Sequence, residues 1–401
     1  MCGLCGVVEL ERPADRRAVE TMLDGLAHRG PDGRGVFADD GICLGHLRLA
    51  IIDLSDAGLE PFAGEGGRLQ LIFNGEIYNY LELRDELAGK GHVFRTQTDT
   101  EVLLASYREW GEACVERFNG MWAFAIWDAA RRTLFCSRDR FGVKQFYYRL
   151  DGGRLAFASE PWPLGRGRAN LRAVREYLEQ GYLDQGEETF FEDVVRLPPA
   201  HSLTFDAAGL RLRRYWTLEP GDAPADPVAA VRETFLDAVR LQLRSDVPVG
   251  TCLSGGIDSS SIAVAVAHPG HERQKTVTAY FDDAGFDERP YARAVIDATG
   301  AEAHWVSFTD GDLVENLPAI VQAQGEPFGS TSICAGWYVM REARRAGLTV
   351  MLDGQGGDEI LAGYRASFGY RLSDLLRGGR VAEATAELRS FASVNGPRWA
   401  A

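Results

Sequence analysis

Short apolar runs, separated by Gly, Asp and Asn, make up most of roughly the first 200 residues of the chain. Runs of about four to eight residues rich in Val, Ile, Leu and aromatic residues, bounded by such turn residues, predict β-strands. The clearest predicted strands are 6–10, 45–52, 69–73 and 122–127. Clear helical spacing of apolar residues is found at 79–90 and 99–110. This half of the chain is therefore predicted to fold as packed antiparallel sheets.

The pattern changes after a stretch rich in Pro, Ala and Asp, EPGDAPADP at 219–227, which has the composition of a linker. Beyond it, helical patterns at 228–244, 259–267 and 289–300 alternate with strand patterns at 247–253, 276–281 and 349–352. This alternation predicts a parallel α/β sheet, with ligands at the carboxyl ends of its strands. We therefore predict two domains, 1–215 and 228–401, joined by a linker at 216–227.

Composition and charge narrow the range of functions. A chain of 401 residues, 45% hydrophobic and 25% charged, has a globular composition and enough core for more than one domain. Its net charge of -15 argues against a nucleic-acid partner, because such proteins gather an excess of Lys and Arg. The apolar runs are too short to span a membrane, and the seven cysteines follow no export signal. We therefore expect a cytosolic protein with reduced thiols and no membrane partner.

The N-terminal sequence Cys2-Gly3-Leu4-Cys5 allows two interpretations. As a C-x-x-C pair it would be a redox or metal site, but residues three apart in a strand project to opposite faces, and no further ligand motif follows. Alternatively, removal of Met1 exposes Cys2 as a nucleophile beside its own α-amine, whose usual pKa near ~8 suits a general base. We favour the second interpretation and expect Cys5 to pack in the core.

Six stretches of the first half bear on that choice: Cys2-Gly-Leu, HRGPDG at 28–33, GHLRLAIIDL at 45–54, FNGEIYN at 73–79, TDTE at 98–101 and SRDRFGVK at 137–144. In this order they resemble the class II glutamine amidotransferase domain of asparagine synthetases. The resemblance implies an α+β N-terminal nucleophile (Ntn) hydrolase fold, an αββα sandwich in which Cys2 attacks the carboxamide of glutamine. It also implies an oxyanion hole formed by Asn74 and the Gly75 N–H, and a glutamine-binding set of Arg48, Glu76 and Asp99.

These residue types suit that chemistry. Acyl transfer from an amide develops a negative oxygen, and each fixed donor aimed at it contributes roughly 2.7–4 kcal/mol. We expect Asn74-Gly75 to form a turn at the end of an apolar strand, because Gly allows close approach of the backbone. Arg48, with carboxylates such as Asp99, would bind the two charges of a free amino acid. Taken singly, Asn-Gly also fits a hairpin turn, and Arg48 also fits a surface charge. The interpretation therefore rests on all of these residues together.

In the second half, VGTCLSGGIDSS at 249–260 is an apolar run leading into a Ser/Gly loop and a helical pattern. It lacks the Lys of a Walker A loop, yet glycine N–H groups, serine hydroxyls and a helix N-terminus favour phosphate. The loop resembles the pyrophosphate loop of ATP pyrophosphatases, and 286–292 and 353–364 continue the resemblance to the asparagine synthetase domain. The resemblance implies ATP contacts from Leu253, Ser254, Gly255, Gly256, Asp258, Ser259, Ser260, Tyr280, Gly354 and Gln355, and Mg²⁺ at Asp258 and Asp358.

Two departures concern the synthetase half. Gln355 stands where many asparagine synthetases have Glu, which weakens the assignment of the substrate more than that of the fold. The family continues into a longer helical portion with a lysine that stabilises charge during adenylation, and residues 365–401 contain no match for that lysine. We therefore expect an α/β ATP-pyrophosphatase domain at 228–401 that is incomplete at its C-terminus.

The resemblance implies a glutamine-dependent amidotransferase that releases ammonia through a Cys2 thioester and adenylates aspartate, or a similar small carboxylate, with ATP. Ammonia would pass internally between the domains, and a homodimer is compatible with this organisation. Two alternatives stay open. One is a specialised relative that amidates or cyclises another carboxylate, and the other is a protein that hydrolyses glutamine and senses ATP without completing synthesis.

Overall fold

The computed structural model describes residues 1–165, 167–184, 186–267, 274–283 and 287–395 of the chain. Among these, the residues within Met1–Val249 and Trp305–Val350 form one compact unit, called unit 1. Those within Gly250–His304 and Met351–Ala401 form a second, called unit 2. Phe286, which begins one of the motif stretches, lies outside the described residues. No helix in the described ranges is long and apolar enough to cross a membrane.

The strands of the first half are β1 (Gly3–Glu9), β2 (Gly33–Asp39), β3 (Ile42–Arg48), β4 (Phe62–Gly64), β5 (Leu69–Ile77), β6 (Gly120–Asp128), β7 (Thr133–Arg138), β8 (Tyr147–Asp151), β9 (Arg154–Ala158), β10 (Val195–Arg196), β11 (His201–Asp206) and β12 (Gly209–Arg214). They form two six-stranded sheets, in the orders β10-β8-β9-β1-β3-β2 and β12-β11-β7-β6-β5-β4. Pairing is antiparallel, as between β1 and β3 and between β5 and β6. The predicted antiparallel sheets are therefore confirmed.

The helices of the first half are α1 (Arg16–Gly25), α2 (Tyr80–Gly89), α3 (Asp99–Trp110) and α4 (Leu171–Gln180). Apolar clusters order these elements into layers. Residues of both sheets, such as Leu4 and Trp127, pack between the sheets. Leu23 of α1 belongs to a cluster on the outer face of the first sheet, and Leu103 of α3 to one on the outer face of the second. The αββα sandwich of the Ntn-hydrolase type is thus confirmed.

The second half contains the strands β13 (Val249–Cys252), β14 (Lys275–Ala279), β15 (Glu302–Val306) and β16 (Val350–Leu352), in the order β15-β14-β13-β16. Its helices are α5 (Pro227–Gln242), α6 (Ile257–Val266), α7 (Arg289–Thr299), α8 (Asp310–Gln324), α9 (Ser332–Arg345), α10 (Gly357–Leu361), α11 (Arg365–Arg377) and α12 (Val381–Asn395). Strands β13 and β14 are parallel, with Thr251 opposite Thr276. This confirms the predicted parallel α/β arrangement.

Two predicted elements differ from the structure in a way that affects the site. The run 69–73 continues as strand β5 to Ile77, so the expectation that Asn74-Gly75 forms a turn was wrong. The strand extends because β5 pairs with β6 along its whole length, with Gly75 opposite Trp122. The predicted strand 45–52 ends at Arg48, because the backbone of Leu49 is engaged by the Cys2 thiol and not by a neighbouring strand.

Candidate active sites

The Cys2 thiol is held just before β1. Leu4 packs between the sheets, whereas Cys5 packs against α1, so strand alternation separates the two cysteines as predicted. The Cys2 Sγ accepts a hydrogen bond from Leu49 N at 3.3 Å and lies 3.6 Å from Leu49 O. Burial raises the pKa of the Cys2 thiol to about 11, and the Glu60 carboxylate adds to this effect. The resting thiol is therefore protonated and needs a base to become a nucleophile.

An amine with a lowered pKa lies beside this thiol. Met1 precedes Cys2 in the described chain, so the Cys2 nitrogen is a peptide nitrogen and the free amine belongs to Met1. Burial lowers the pKa of the Met1 ammonium to about 6, and the Arg29 and Lys144 cations also lower it against the opposing effect of Cys2. An α-amine in such surroundings is neutral at pH 7, which is the state that a general base requires.

Asn74 lies in the buried middle of β5. Its neighbour Ile72 packs between the sheets and Phe73 packs on the opposite face, so alternation directs Asn74 and Glu76 into the layer between the sheets. The Asn74 side chain is 1% exposed, and its Nδ2 has no hydrogen-bond partner in the described part of the chain. A buried donor without an acceptor is unfavourable by roughly 1–3 kcal/mol. This amide is therefore available to a ligand oxygen.

Gly75 lies where the backbones of β5 and β6 approach closely. A Cβ at this position would lie 2.1 Å from Met121 O and 2.7 Å from the ring of Phe73. No larger residue fits without displacing β6, which explains glycine inside a strand. The contribution of the Gly75 N–H to an oxyanion hole stays a prediction.

Two buried carboxylates, Glu76 and Asp99, lie near each other. They are 5% and 6% exposed. Burial, together with the charge of Asp99, raises the pKa of Glu76 to about 7. Burial also raises the pKa of Asp99 to about 6, although the Ile77 N–H donates to its Oδ2 at 2.9 Å. Both negative charges are unfavourable in the resting site, so a cationic ligand group would stabilise them.

Arg48 is 7% exposed, so its alternative interpretation as a surface charge was wrong. Its guanidinium donates to Ser55 O at 2.6 Å, to Ile52 O at 3.5 Å and to Asp53 O. It also lies near enough to Asp99 to lower the pKa of that carboxyl. The carbonyl contacts fix the guanidinium among neutral acceptors, which leaves its charge for an anion.

Lys144 and Glu60 are charged residues of this site that the sequence analysis did not single out. Lys144 is 9% exposed, and burial lowers its pKa, while nearby Glu76 and Cys2 raise it. Its ammonium therefore lies close to both the nucleophile and a predicted glutamine-binding residue. Burial raises the pKa of Glu60 well above its usual range. In the sequence, Lys144 was marked only by its place in the 137–144 motif. Glu60 lies in no motif, so nothing in the sequence marked it as a site residue.

Glu76→Gln is expected to stabilise the fold at pH 8 by up to about 3 kcal/mol and to leave it unchanged near pH 4. The folded-state pKa of Glu76, about 7, lies above its ordinary value of 4.5. The unfolded chain therefore releases this proton first, and stability falls as the pH rises between these two values. A neutral amide removes that fall. Urea unfolding of both proteins at pH 4 and pH 8 measures the difference.

Glu82→Gln is the matched control, with the opposite sign. Hydrogen bonds from Arg244 lower the pKa of Glu82 to about 2, so its charge stabilises the fold above that pH. Its substitution should lower the free energy of unfolding at pH 8. The effect should be small, because the Glu82 side chain is 54% exposed. Equal stability of Glu76→Gln and the wild type at pH 8 would contradict a raised pKa at Glu76.

In unit 2, the Ser/Gly loop connects β13 to α6. The hydroxyls of Ser254 and Ser259 are 3.0 Å apart, and Gly256 N donates to Ser254 Oγ at 3.2 Å. Gly255 has a φ of 88°, and a Cβ there would lie 2.6 Å from Ala292 N, so this position requires glycine. Gly256 precedes the first residue of α6, Ile257, and provides no side-chain cap. The first N–H groups of α6 therefore suit an anionic ligand.

The glycine loop after β16 packs against Asp258. A Cβ at Gly357 would lie 2.7 Å from Asp258 Oδ2, and one at Gly354 would lie 3.2 Å from Asp258 Cβ. Residues about 100 positions apart in the sequence thus meet in unit 2. In the described ranges no group of three or more His, Cys, Asp or Glu residues could hold a metal by itself. Mg²⁺ typically uses one or two carboxylates together with substrate phosphates, and its binding by Asp258 and Asp358 stays a prediction.

Two predicted ATP residues, Leu253 and Ser260, differ in whether their polar groups have hydrogen-bond partners. The Leu253 side chain is 1% exposed, its N–H donates to Val277 O at 3.0 Å and its carbonyl accepts from Thr278 Oγ1 at 2.6 Å. Both backbone groups of Leu253 are thus used within the sheet. The Ser260 Oγ is buried and has no partner among the described residues.

Tyr280 and Gln355 are the other two predicted ATP residues. The Arg289 guanidinium carbon lies 4.6 Å from the centre of the Tyr280 ring, a cation–π distance. Gln355 is exposed, and its backbone N–H donates to Asp353 Oδ1 at 3.2 Å. The Gln355 side chain is therefore free to meet a ligand, and the roles of both residues stay predictions.

Family models match both halves of the chain. A glutamine amidotransferase domain model matches residues 1–216, and an asparagine synthase model matches residues 230–399. A glutamine phosphoribosylpyrophosphate amidotransferase of B. subtilis, solved with ADP and GMP, aligns over 88% of this chain and 81% of its own, at 15% identity and a TM-score of 0.41. A similarity this low does not indicate a shared function.

Curated relatives are similar over most of the chain. Asparagine synthetase [glutamine-hydrolyzing] 3 of Bacillus subtilis is 36% identical over 91% of this chain and 63% of its own length. A putative asparagine synthetase [glutamine-hydrolyzing] 2 of Methanocaldococcus jannaschii is 35% identical over 94% of this chain and 78% of its own length. Amidase chry2 of Gibberella zeae is 34% identical over 87% of this chain and 55% of its own length. The chain therefore spans between about half and four-fifths of the length of these relatives. The chain belongs to the family of glutamine-hydrolysing asparagine synthetases.

Proposed function

We propose that the first half hydrolyses glutamine through a thioester on Cys2. After removal of Met1, the α-amine of Cys2 takes the thiol proton and the sulfur attacks the carboxamide carbon. The C–N bond then breaks, the proton leaves with ammonia, and water hydrolyses the thioester to glutamate and the free thiol. The observation that carries this proposal is the Asn74 Nδ2, a buried donor without a partner in the described structure. It would donate to the negative oxygen that forms during attack.

The charged groups around Cys2 support a free amino acid as the substrate. Arg48 would bind the α-carboxylate, because its guanidinium is held by neutral carbonyl groups. Glu76 and Asp99 would bind the α-ammonium, which relieves the unfavourable burial of their charges. Lys144 would stabilise the Cys2 thiolate as it forms, since the two groups lie close together.

We propose that the second half activates a carboxylate with ATP. The uncapped start of α6 and the Ser254–Gly256 loop would bind the polyphosphate. A carboxylate oxygen would attack the α-phosphorus and expel pyrophosphate, and ammonia from the first half would then displace AMP to form the amide. Asp258 and Asp358 would hold Mg²⁺, whose charge shields that of the phosphates.

Aspartate is the acceptor that the similarity to asparagine synthetases favours. One observation favours a different small carboxylate. The exposed Gln355 replaces a carboxylate common in the family, and the fungal amidase chry2 is among the similar proteins. A specialised amide-forming relative is therefore the second candidate.

Asp258→Asn is expected to raise the Mg²⁺ concentration needed for half-maximal ATP binding by at least about tenfold, and Asp358→Asn to do the same. Each change removes one negative charge from the proposed cation site while keeping the size of the side chain. Calorimetric titration of ATP at several Mg²⁺ concentrations measures the shift, and it requires no complete reaction.

The matched control is Asp297→Asn, which neutralises an exposed aspartate on α7 of the same unit. It should leave the Mg²⁺ requirement unchanged. If all three variants bound ATP with the wild-type Mg²⁺ requirement, Asp258 and Asp358 would not hold the cation.

A further inference from the structure

Glu160 forms the centre of a partly buried hydrogen-bonded cluster that reaches the backbone of Cys2. It follows β9, its residue is 6% exposed, and its carboxylate contacts three side chains. Arg29 Nη1 donates to Oε1 at 2.7 Å, His28 Nε2 lies 2.8 Å from the same oxygen, and Trp162 Nε1 donates to Oε2 at 2.7 Å. Such a carboxylate has a single orientation, because both of its oxygens are engaged.

Arg29 connects this carboxylate to Cys2. Its Nε donates to the carbonyl oxygen of Cys2 at 2.8 Å, and its side chain is 9% exposed. The two ends of the guanidinium are therefore fixed, one by the Glu160 carboxylate and the other by the backbone of the nucleophile. Arg29 cannot rotate towards another acceptor without breaking a buried charged hydrogen bond.

Ser159, the residue before Glu160, forms hydrogen bonds with the start of β1, just after Cys2. Leu4 N donates to Ser159 Oγ at 3.0 Å, and Ser159 N donates to Leu4 O at 2.9 Å. The dipeptide 159–160 thus restrains the carbonyl of the Cys2–Gly3 peptide bond, through Arg29, and the backbone of Leu4 that follows it. For a chain that starts at Cys2, the orientation of this peptide bond and the contact of the sulfur with Leu49 together set where the α-amine lies relative to the sulfur.

We propose that Glu160 is a positioning residue for glutamine hydrolysis, acting through Arg29 to fix the Cys2 carbonyl and hence the amine–thiol geometry. This inference rests on the proposed thioester mechanism. A base must lie within hydrogen-bond reach of the proton that it removes, and a misplacement of about 1 Å can lower a rate about 10²-fold. Glu160 itself touches neither the thiol nor any predicted glutamine-binding residue in the contacts described here.

Glu160→Gln is expected to lower kcat for glutamine hydrolysis by about tenfold or more, with KM changed less than about twofold. The amide keeps the size of the side chain, but its N–H₂ group cannot accept from either Arg29 or Trp162. A change in kcat without KM separates loss of nucleophile positioning from loss of glutamine binding. Steady-state ammonia release by the chain lacking Met1 gives both constants.

Glu9→Gln is the matched control. Glu9 is also 6% exposed and lies at the other end of β1, where it forms ion pairs with Arg12 and Arg154. Its substitution breaks the ion pairs of a similarly buried carboxylate without reaching Cys2, so kcat should stay within about twofold of the wild type. An equal loss of kcat in both variants would assign Glu160 a general structural role and overturn the proposal.

A double-mutant cycle tests whether Glu160 acts through Arg29. Arg29→Lys removes the planar guanidinium that joins the two contacts, and adding Glu160→Gln to it should then lower kcat by less than about twofold more. Full additivity of the two losses would contradict action through Arg29. Should Glu160→Gln fail to fold, Trp162→Phe removes a single donor from the carboxylate and is expected to lower kcat about fivefold.

The rate of Cys2 alkylation by iodoacetamide at pH 7 distinguishes failure of this inference from failure of the proposed function. Mass spectrometry of the N-terminal peptide follows the alkylation without any need for glutamine hydrolysis. If wild type releases no ammonia from glutamine, the proposed function is wrong, and slower alkylation in Glu160→Gln than in Glu9→Gln still supports the positioning role. Equal alkylation rates in wild type and Glu160→Gln would overturn it.

Discussion

Cys2→Ala is expected to lower glutamine hydrolysis by at least about 10³-fold, to the limit of detection. In the proposed mechanism the sulfur forms the thioester, and no neighbouring group in the described site replaces it. Alanine is small enough to permit removal of Met1, so the α-amine and the rest of the site are retained. Ammonia release from glutamine by purified wild type and variant measures the effect. Any ATP-dependent amide formation supported by added ammonium should persist, because that reaction bypasses the thiol.

Cys5→Ala is the control that separates the two interpretations of the N-terminal cysteines. Cys5 is fully buried against α1, and its Sγ lies 3.8 Å from Val19 O. A nucleophile at Cys2 requires no second thiol, so this variant should hydrolyse glutamine at nearly the wild-type rate. Equal loss of activity in Cys2→Ala and Cys5→Ala would instead support a function that uses the two thiols as a pair.

Asn74→Ala is expected to lower kcat for glutamine hydrolysis by about 10²- to 10³-fold. The Asn74 Nδ2 is the proposed donor to the oxyanion, and a methyl group cannot replace it. Stability should change by less than about 1 kcal/mol, because the substitution removes a buried donor that has no partner in the described protein. Ammonia release and urea unfolding, measured on the same preparation, test both halves of this expectation.

Asn79→Ala should give the opposite result. The Asn79 Nδ2 donates to Arg117 O at 3.0 Å, and its Oδ1 accepts from Asn119 N at 2.8 Å. Losing these bonds should destabilise the fold by about 1–2 kcal/mol while kcat stays close to wild type. If Asn74→Ala were as destabilising as Asn79→Ala and retained glutamine hydrolysis, Asn74 would be a structural residue.

The sequence predicted those elements whose signals are local. Helix α3 has the predicted bounds because Thr98 caps its first turn and Gly111, with a positive φ, ends it. Strand β2 was not predicted, because it is only partly buried and its sequence, GRGVFAD, has no clear alternation. Strand β5 was predicted too short, since its last four residues are held by β6 and not by their own propensity.

The candidate site was predicted to the extent that motifs mark it. Cys2, Asn74 and Asp99 lie in recognisable stretches, and the structure places all three in unit 1, with Asn74 and Asp99 buried and Cys2 partly buried. Lys144 is marked only by its place in the 137–144 stretch and Glu160 by no motif, because a buried charge follows no periodicity and depends on partners far along the chain. Glu160 meets Arg29 across 131 positions, a contact that only the folded sheet creates.

The most direct test of the account is pyrophosphate release by the chain lacking Met1, with ATP, Mg²⁺ and aspartate, and with glutamine or ammonium as the nitrogen donor. We expect pyrophosphate and asparagine with both donors, and loss of the glutamine-supported reaction alone in Cys2→Ala. Glutamine hydrolysis without pyrophosphate release would contradict an aspartate-activating second half. It would direct the search to another carboxylate.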